Sequence, residues 1–253
     1  MSHTPFTPTR IIIHGASGRM GARLCALATS DPCFELVGAI VRDGSPHVGH
    51  SAQPIKDADD RITFASRSST IAPADVVVDF SHHDAIHASL DLAARASAAL
   101  IVGTTALPTT ALDALHKAAS HRPVLVASNM SVGIAVLSKL LAQAARALGE
   151  GYHCSIVEAH HAAKKDAPSG TALRLASSIR DAGHSLRDDQ ILAVRGGDVV
   201  GEHTVRFAGP GEYLEFTHRA TSRDVFAKGA LHAAAWLKGK PAGWYTIDQV
   251  VGL

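Results

Sequence analysis

Apolar residues in the first half of the chain come in short continuous runs. Arg10–His14 (RIIIH), Leu36–Val41, Ala74–Phe80 (ADVVVDF), Ala99–Val102 and Val124–Ala127 are such runs, rich in β-branched residues. That is the pattern of strands buried on both faces of a parallel sheet. Between them lie segments with helical spacing: Ala22–Thr29, a stretch from His82 to about Ser97, and Pro108–Ala119. Residues 43–60 are rich in Gly, Ser, Pro, Asp and His and predict a surface loop. The rhythm changes after about residue 130. Ser131–Leu148 predicts a long amphipathic helix, His153–Ala159 a strand and Thr171–Ala182 a helix. Three short strand-like runs follow, Ile191–Arg195, His203–Ala208 and Glu212–His218, the last two flanking the turn signal Gly209-Pro210-Gly211. Phe226–Lys238 is helical, and Pro241 and Gly243 break the chain. Antiparallel strands with helices predict an α+β second domain.

Composition narrows the function classes. The net charge of +1 argues against a general nucleic-acid binder. No apolar run approaches the ~18 residues that span a bilayer. MSHTPFTPTR has no apolar core of a secretory signal. Cys25, Cys33 and Cys154 are scattered, without a C-x-x-C pair, which fits a reduced, cytoplasmic setting and neither a disulfide framework nor a zinc site.

The first strand runs directly into Gly15-Ala16-Ser17-Gly18-Arg19-Met20-Gly21 and then a helix. Strand, glycine turn and helix form the context of a dinucleotide site, in which the helix start receives the pyrophosphate. The spacing is G-x-x-G-x-x-G, and Arg19 is a further candidate for a phosphate. Later strands end in Gly103-Thr104-Thr105 and Ser128-Asn129-Met130, small and hydroxyl residues where a ligand crevice is expected. The expected fold is therefore α/β: a Rossmann-like dinucleotide-binding domain, residues 1–129, and a smaller α+β substrate-binding domain, residues 130–238. His82, His83 and His87 invite a metal hypothesis, but no Cys or carboxylate stands with them at ligand spacing. A capped, solvated helix start is expected there, and no metal site.

The densest chemistry lies in Glu158–Ala172, EAHHAAKKDAPSGTA. Two histidines, two lysines, Asp166 and a helix start at Ser169-Gly170-Thr171 suit a small polyanionic substrate with an acid/base beside it. This stretch resembles the signature of the dihydrodipicolinate reductase family. The turn GASGRMG, the G-T-T after the fifth run, Ala127–Gly133, and the runs RGGDVVGEHTVRF and GEYLEFTHRATSR are similar to the same family, so the resemblance covers nearly the whole chain.

The resemblance implies reduction of 4-hydroxy-tetrahydrodipicolinate in lysine and diaminopimelate synthesis, by hydride from NADPH or NADH. It implies His160 as the catalytic histidine and Lys164 as its partner. Substrate contacts fall to His161, Ser169, Gly170 and Thr171, which would hold a small cyclic dicarboxylate. Cofactor contacts fall to Gly15–Met20, to Gly103, Thr104 and Thr105, and to Ala127, Ser128, Asn129 and Met130. It also implies that residues 239–253 complete the first domain, and that residues 130–238 form a substrate-binding and oligomerisation domain whose sheet assembles a homotetramer. Ala162 and Ala163 stand where some members carry a third basic residue, and Lys165 is expected to be solvated.

At the end of the second strand, where a carboxylate would accept the adenosine ribose 2′-OH, the chain has Val41 followed by Arg42. Glu35 precedes that strand and Asp43 points into the loop. Preference for NADPH follows, with Arg42 on the 2′-phosphate. Closure of the two domains is expected about Asn129–Ser131 and Lys238–Pro241. Two rival functions differ in class. A non-catalytic NADP-binding sensor would lack a combined acid/base and anion site. A metal-dependent lyase or hydrolase using Glu158, His160 and His161 would need ligand spacing that is absent here.

Overall fold

The computed structural model describes residues 7–52 and 62–252. Two compact units emerge: the residues up to Met130 with Phe226–Val250, and Ser131–Val225.

The first unit is built on β1 (Thr9–His14), β2 (Phe34–Val41), β3 (Phe64–Ser66), β4 (Val76–Asp79), β5 (Ala99–Val102) and β6 (Pro123–Val126), interleaved with the helices α1 (Arg19–Ser30), α2 (Ile86–Arg95) and α3 (Thr109–Ala119). With the later β11 (Gly243–Tyr245) these strands form a seven-stranded sheet in the order β11-β6-β5-β4-β1-β2-β3. Every neighbouring pair is parallel. The order reverses at β1, which lies between β2 and β4, so a crevice opens at their C-terminal ends. Ile12, Val77, Leu100, Leu115 and Val124 anchor one core of this unit, which explains the continuous apolar runs.

The second unit contains α4 (Val132–Leu148), β7 (His153–His160), α5 (Gly170–Asp181), β8 (Ile191–Arg195), β9 (Gly201–Gly209) and β10 (Glu212–Ala220). Its four-stranded sheet has the order β10-β9-β7-β8. β9 pairs antiparallel with both β7 and β10, but β8 pairs parallel with β7. The sheet is thus mixed rather than antiparallel, because α5 carries the chain back to the starting edge before β8 begins.

Two further expectations need correction. The helix α6 (Asp224–Leu237) groups with the first unit, whereas the sequence places the boundary after residue 238. Trp236 packs edge-on against Tyr245 of β11 at 5.5 Å, and Lys238 just beyond α6 pairs with Asp75 at 3.0 Å and donates to the Pro8 carbonyl at 2.9 Å. The chain therefore passes between units at Met130/Ser131 and at Val225/Phe226, ahead of the second expected hinge. Also, Val132–Gly151 is long and apolar enough by composition to cross a bilayer, with mean hydropathy 1.3. Its apolarity has another use: Ile134, Leu137, Leu141 and Ala145 fill the core of the second unit with Ile156, Leu175 and Phe207. The short helix α7 (Ile247–Val250) closes the first unit.

Candidate active site

β7 alternates buried and outward residues, so Glu158 and His160 share its inward face at the strand's C-terminal end. Glu158 is fully buried, and its carboxylate gathers donors from three segments. Arg195, which pairs with His160 across β7 and β8, grips it with a fork: Nη1 to Oε2 at 2.9 Å and Nη2 to Oε1 at 2.7 Å. The Ser169 N–H donates to Oε1 at 3.0 Å, and His160 Nδ1 lies 2.5 Å from Oε2. Burial alone would raise the Glu158 pKa, but the Arg195 fork, His160 and the Ser169 N–H outweigh it and hold the carboxyl below its ordinary range. Facing a carboxylate, His160 Nδ1 carries its proton. Nε2 has no hydrogen-bond partner among the described residues and is the atom left to give or take a proton.

Gly201 on β9 makes room for that imidazole, since a Cβ there would lie 3.0 Å from Nε2. His203, two residues on, stands edge-on to His160 at 5.2 Å. Burial, then the neighbouring His160, pull the His203 pKa down to about 4, so it is neutral at pH 7. Ser169 caps α5 by accepting from the Ala172 N–H at 3.2 Å, and its hydroxyl shares a hydrogen bond with His203 Nε2, also at 3.2 Å. The loop between His160 and Ser169 brings Lys164 Nζ to Asp166 Oδ1 at 2.8 Å. Arg195 Nη2 also donates to the Asp166 carbonyl at 2.6 Å.

In the first unit a cleft of about 360 Å³ opens between the glycine turn (Gly15, Ser17, Gly18), the end of β2 (Val41, Arg42) and Arg67 just past β3. Gly15 has φ +80°, and a Cβ there would meet the Phe80 carbonyl oxygen at 2.5 Å. Only glycine fits. α1 begins at this turn with Gly18 as its N-cap and no side-chain cap, so its first N–H groups suit an anion. The N–H groups of Gly15 and Ala16 bond the Ile40 carbonyl, and that of Gly18 bonds Gly15.

Sequence models of "Dihydrodipicolinate reductase, N-terminus" and "Dihydrodipicolinate reductase, C-terminus" match residues 9–130 and 133–251. The chain belongs to the dihydrodipicolinate reductase family. A relative from Anaeromyxobacter dehalogenans (strain 2CP-1), named 4-hydroxy-tetrahydrodipicolinate reductase, is 42% identical over 97% of this chain and 98% of its own length. One of the same name from Xanthomonas euvesicatoria pv. vesicatoria is 45% identical over 96% and 97%. Among solved structures, the dipicolinate-bound dihydrodipicolinate reductase from Paenisporosarcina sp. TG-14 superposes with a TM-score of 0.76 at 21% identity, covering 95% of this chain and 98% of that one, a likeness of fold.

Within this reductase fold the residues singled out in the sequence have these places. His160 is buried, while His161 and Lys164 are half-buried beyond the strand. Lys165 is exposed, as expected. Ser169 is buried with both its N–H and its hydroxyl engaged, while Gly170 is exposed and Thr171 half-buried at the helix start. Ser17, Gly18, Arg19 and Arg42 are exposed at the cleft end of the sheet, Met20 is half-buried, and Ala16 is fully buried. Gly103 leaves room for the Phe80 ring, since a Cβ there would come within 2.3 Å of it. The Thr104 hydroxyl donates to Asp79 Oδ2 at 2.6 Å, and Thr105 is exposed. Ala127 and Met130 are buried, with exposed Ser128 and half-buried Asn129 between them.

His82 and His83 do meet a carboxylate. Asp84 joins them with ligand-type atoms within 4.8 Å, and His87 stands outside the group. The cluster is largely exposed, and the His82 ring accepts from the Asp84 N–H at the start of a short turn of 3-10 helix.

Proposed function

We propose that this chain reduces 4-hydroxy-tetrahydrodipicolinate to tetrahydrodipicolinate, on the route to diaminopimelate and lysine, with NADPH preferred over NADH. The observation that carries this is the Arg195–Glu158–His160 array. A clamped, ionised carboxylate orients the imidazole by Nδ1 and leaves Nε2 to deliver the proton that the reduction requires. The nicotinamide supplies the hydride when bound. Gly15, the open start of α1 and the 360 Å³ cleft suit a dinucleotide.

In this reading His161, Gly170, Thr171 and Lys164 hold a small cyclic dicarboxylate. Lys164 now rests on Asp166, and a substrate carboxylate would take that place. Family relatives under the reductase name and the dipicolinate bound to the Paenisporosarcina protein support this substrate class. The preference for NADPH follows from Val41 at the end of β2 and exposed Arg42. Glu35 lies at the opposite end of β2, 3.5 Å from Arg10, too far down the strand to serve the ribose. Assembly into a homotetramer through the sheet of the second unit is in keeping with exposed Val157, Leu192 and Val194 on its strands β7 and β8.

The test supplies substrate from aspartate semialdehyde and pyruvate through the upstream synthase and follows NADPH absorbance. Consumption that depends on all components is expected. No consumption by the wild-type chain overturns the assignment.

A further inference from the structure

β2 lies between β1 and β3 in the sheet. Arg67 follows β3, and His14 is the last residue of β1. Arg67 Nε donates to His14 Nε2 at 3.1 Å. That contact passes the C-terminal end of β2, where Val41 and Arg42 stand and where a dinucleotide fold seats the adenosine ribose.

The hydrogen bonds behind Arg67 have a single direction. A guanidinium only donates, so His14 Nε2 accepts and the ring proton is on Nδ1. Nδ1 lies 2.8 Å from Ser89 Oγ, and the Ser89 hydroxyl donates to Asp79 Oδ1 at 2.9 Å. Asp79 also accepts from Ser81 at 2.5 Å and from Thr104 at 2.6 Å. His14, Ser89 and Asp79 are all 0% exposed. The backbone of the loop is held as well: Arg95 donates to the carbonyls of Arg67 and Ser69 at 2.5 and 3.1 Å. An arginine on a surface loop normally loses rotamer freedom when it binds an anion. Arg67 has already been fixed. Its Nη1 and Nη2 have no partner among the described residues, it lines the cleft together with Arg42, and among the described residues no Asp or Glu lines that cleft.

We propose that Arg67 is a second specificity-determining residue of this cleft. With Arg42 it holds the 2′-phosphate of a phosphorylated nicotinamide dinucleotide, and His14 is a positioning residue that aims it. The inference rests on the cofactor reading above and deepens it.

Calorimetric titration of the full chain with adenosine 2′,5′-bisphosphate, adenosine 5′-monophosphate, NADPH and NADH tests it without turnover. Wild type should bind the 2′-phosphorylated member of each pair more tightly. Arg67→Gln should lose roughly tenfold on those members and little on the others, as expected for a charge-assisted contact. His14→Leu should shift the same ratio in the same direction, and His14→Gln, which keeps an acceptor toward Arg67, should restore part of it. If His14→Leu does not fold, Arg67→Gln and Arg67→Met decide the matter. Equal losses on all four ligands would make Arg67 an adenine-stacking or supporting residue and overturn the proposal. An undiminished 2′-phosphate preference in Arg67→Gln would overturn it while leaving the cofactor reading intact. Wild type binding none of the four would overturn both.

Discussion

Each unit buries a carboxylate against a histidine at the C-terminal ends of its strands. In the first unit Asp79 receives the hydroxyls of Ser81, Ser89 and Thr104, with His14 beside it at 3.1 Å. In the second unit Glu158 receives the Arg195 guanidinium and His160. Burial raises both carboxyl pKa values, and in both it is outweighed, by His14 and hydroxyls in one case and by Arg195 and His160 in the other. The histidines differ. Both ring nitrogens of His14 are engaged and the ring is sealed, whereas His160 has one nitrogen engaged and is 8% exposed. A carboxylate–histidine pair thus acquires its role from the second ring nitrogen. Occupied, it aims a neighbour; open, it can exchange a proton.

The sharpest way to break this contrast is to remove the counter-charge. Arg195→Ala leaves Glu158 buried without its cation and should cost ~3 kcal/mol or more of unfolding free energy in urea. Asp79→Asn, set among neutral donors, should cost less, ~1–2 kcal/mol. Equal costs would mean that the two carboxylates are stabilised alike.

His160→Gln removes the open nitrogen and should lower kcat by ~10²-fold or more, with NADPH affinity retained. Unchanged turnover would take His160 out of the proton transfer.

A third measurement concerns acid stability. His203 has a folded pKa of about 4 against an ordinary value of 6.5. Between those values the unfolded chain binds the extra proton, so stability falls as pH drops from about 6.5 toward 4. His203→Gln should flatten that part of the stability curve, and an unaltered slope would place the acid sensitivity elsewhere.

The smallest expected effect belongs to the exposed cation. Arg42→Ala should reduce the ratio of kcat/KM for NADPH over NADH by roughly tenfold. An unchanged ratio would leave the 2′-phosphate to other groups.

Legibility in the sequence followed burial. β1 and β5 were evident because both faces are covered, giving uninterrupted apolar runs. β3 and β11 are three residues each and half-buried throughout, so neither periodicity nor hydrophobicity marks them. β8 was visible as a strand, but its direction depends on where α5 returns the chain. The motif marks the stretch around His160 but not its support, since Glu158 and Arg195 meet only through the β7–β8 register. The period of two that puts Glu158 and His160 on one face was the available signal. Gly201 and Arg67 carried none, because the reason for each lies in a side chain distant in sequence: His160 for one, His14 for the other.

Glu158 has one more consequence, for motion. Its carboxylate ties together β7, the residue that caps the start of α5 and the last residue of β8. The loop between His160 and Ser169 is therefore pinned at two buried ends, while Ala162, Ala163, Lys165, Asp166 and Ala167 are exposed. Between those ends the backbone is held twice more, by the Ala162 N–H on the Gly197 carbonyl at 3.1 Å and by Arg195 on the Asp166 carbonyl at 2.6 Å, so the exposed side chains are the part left to move. Lys164 rides near the middle, and His160 is itself an anchor. The His160 ring is fixed by the buried array, and the freedom to change shape is left to the Lys164 side chain.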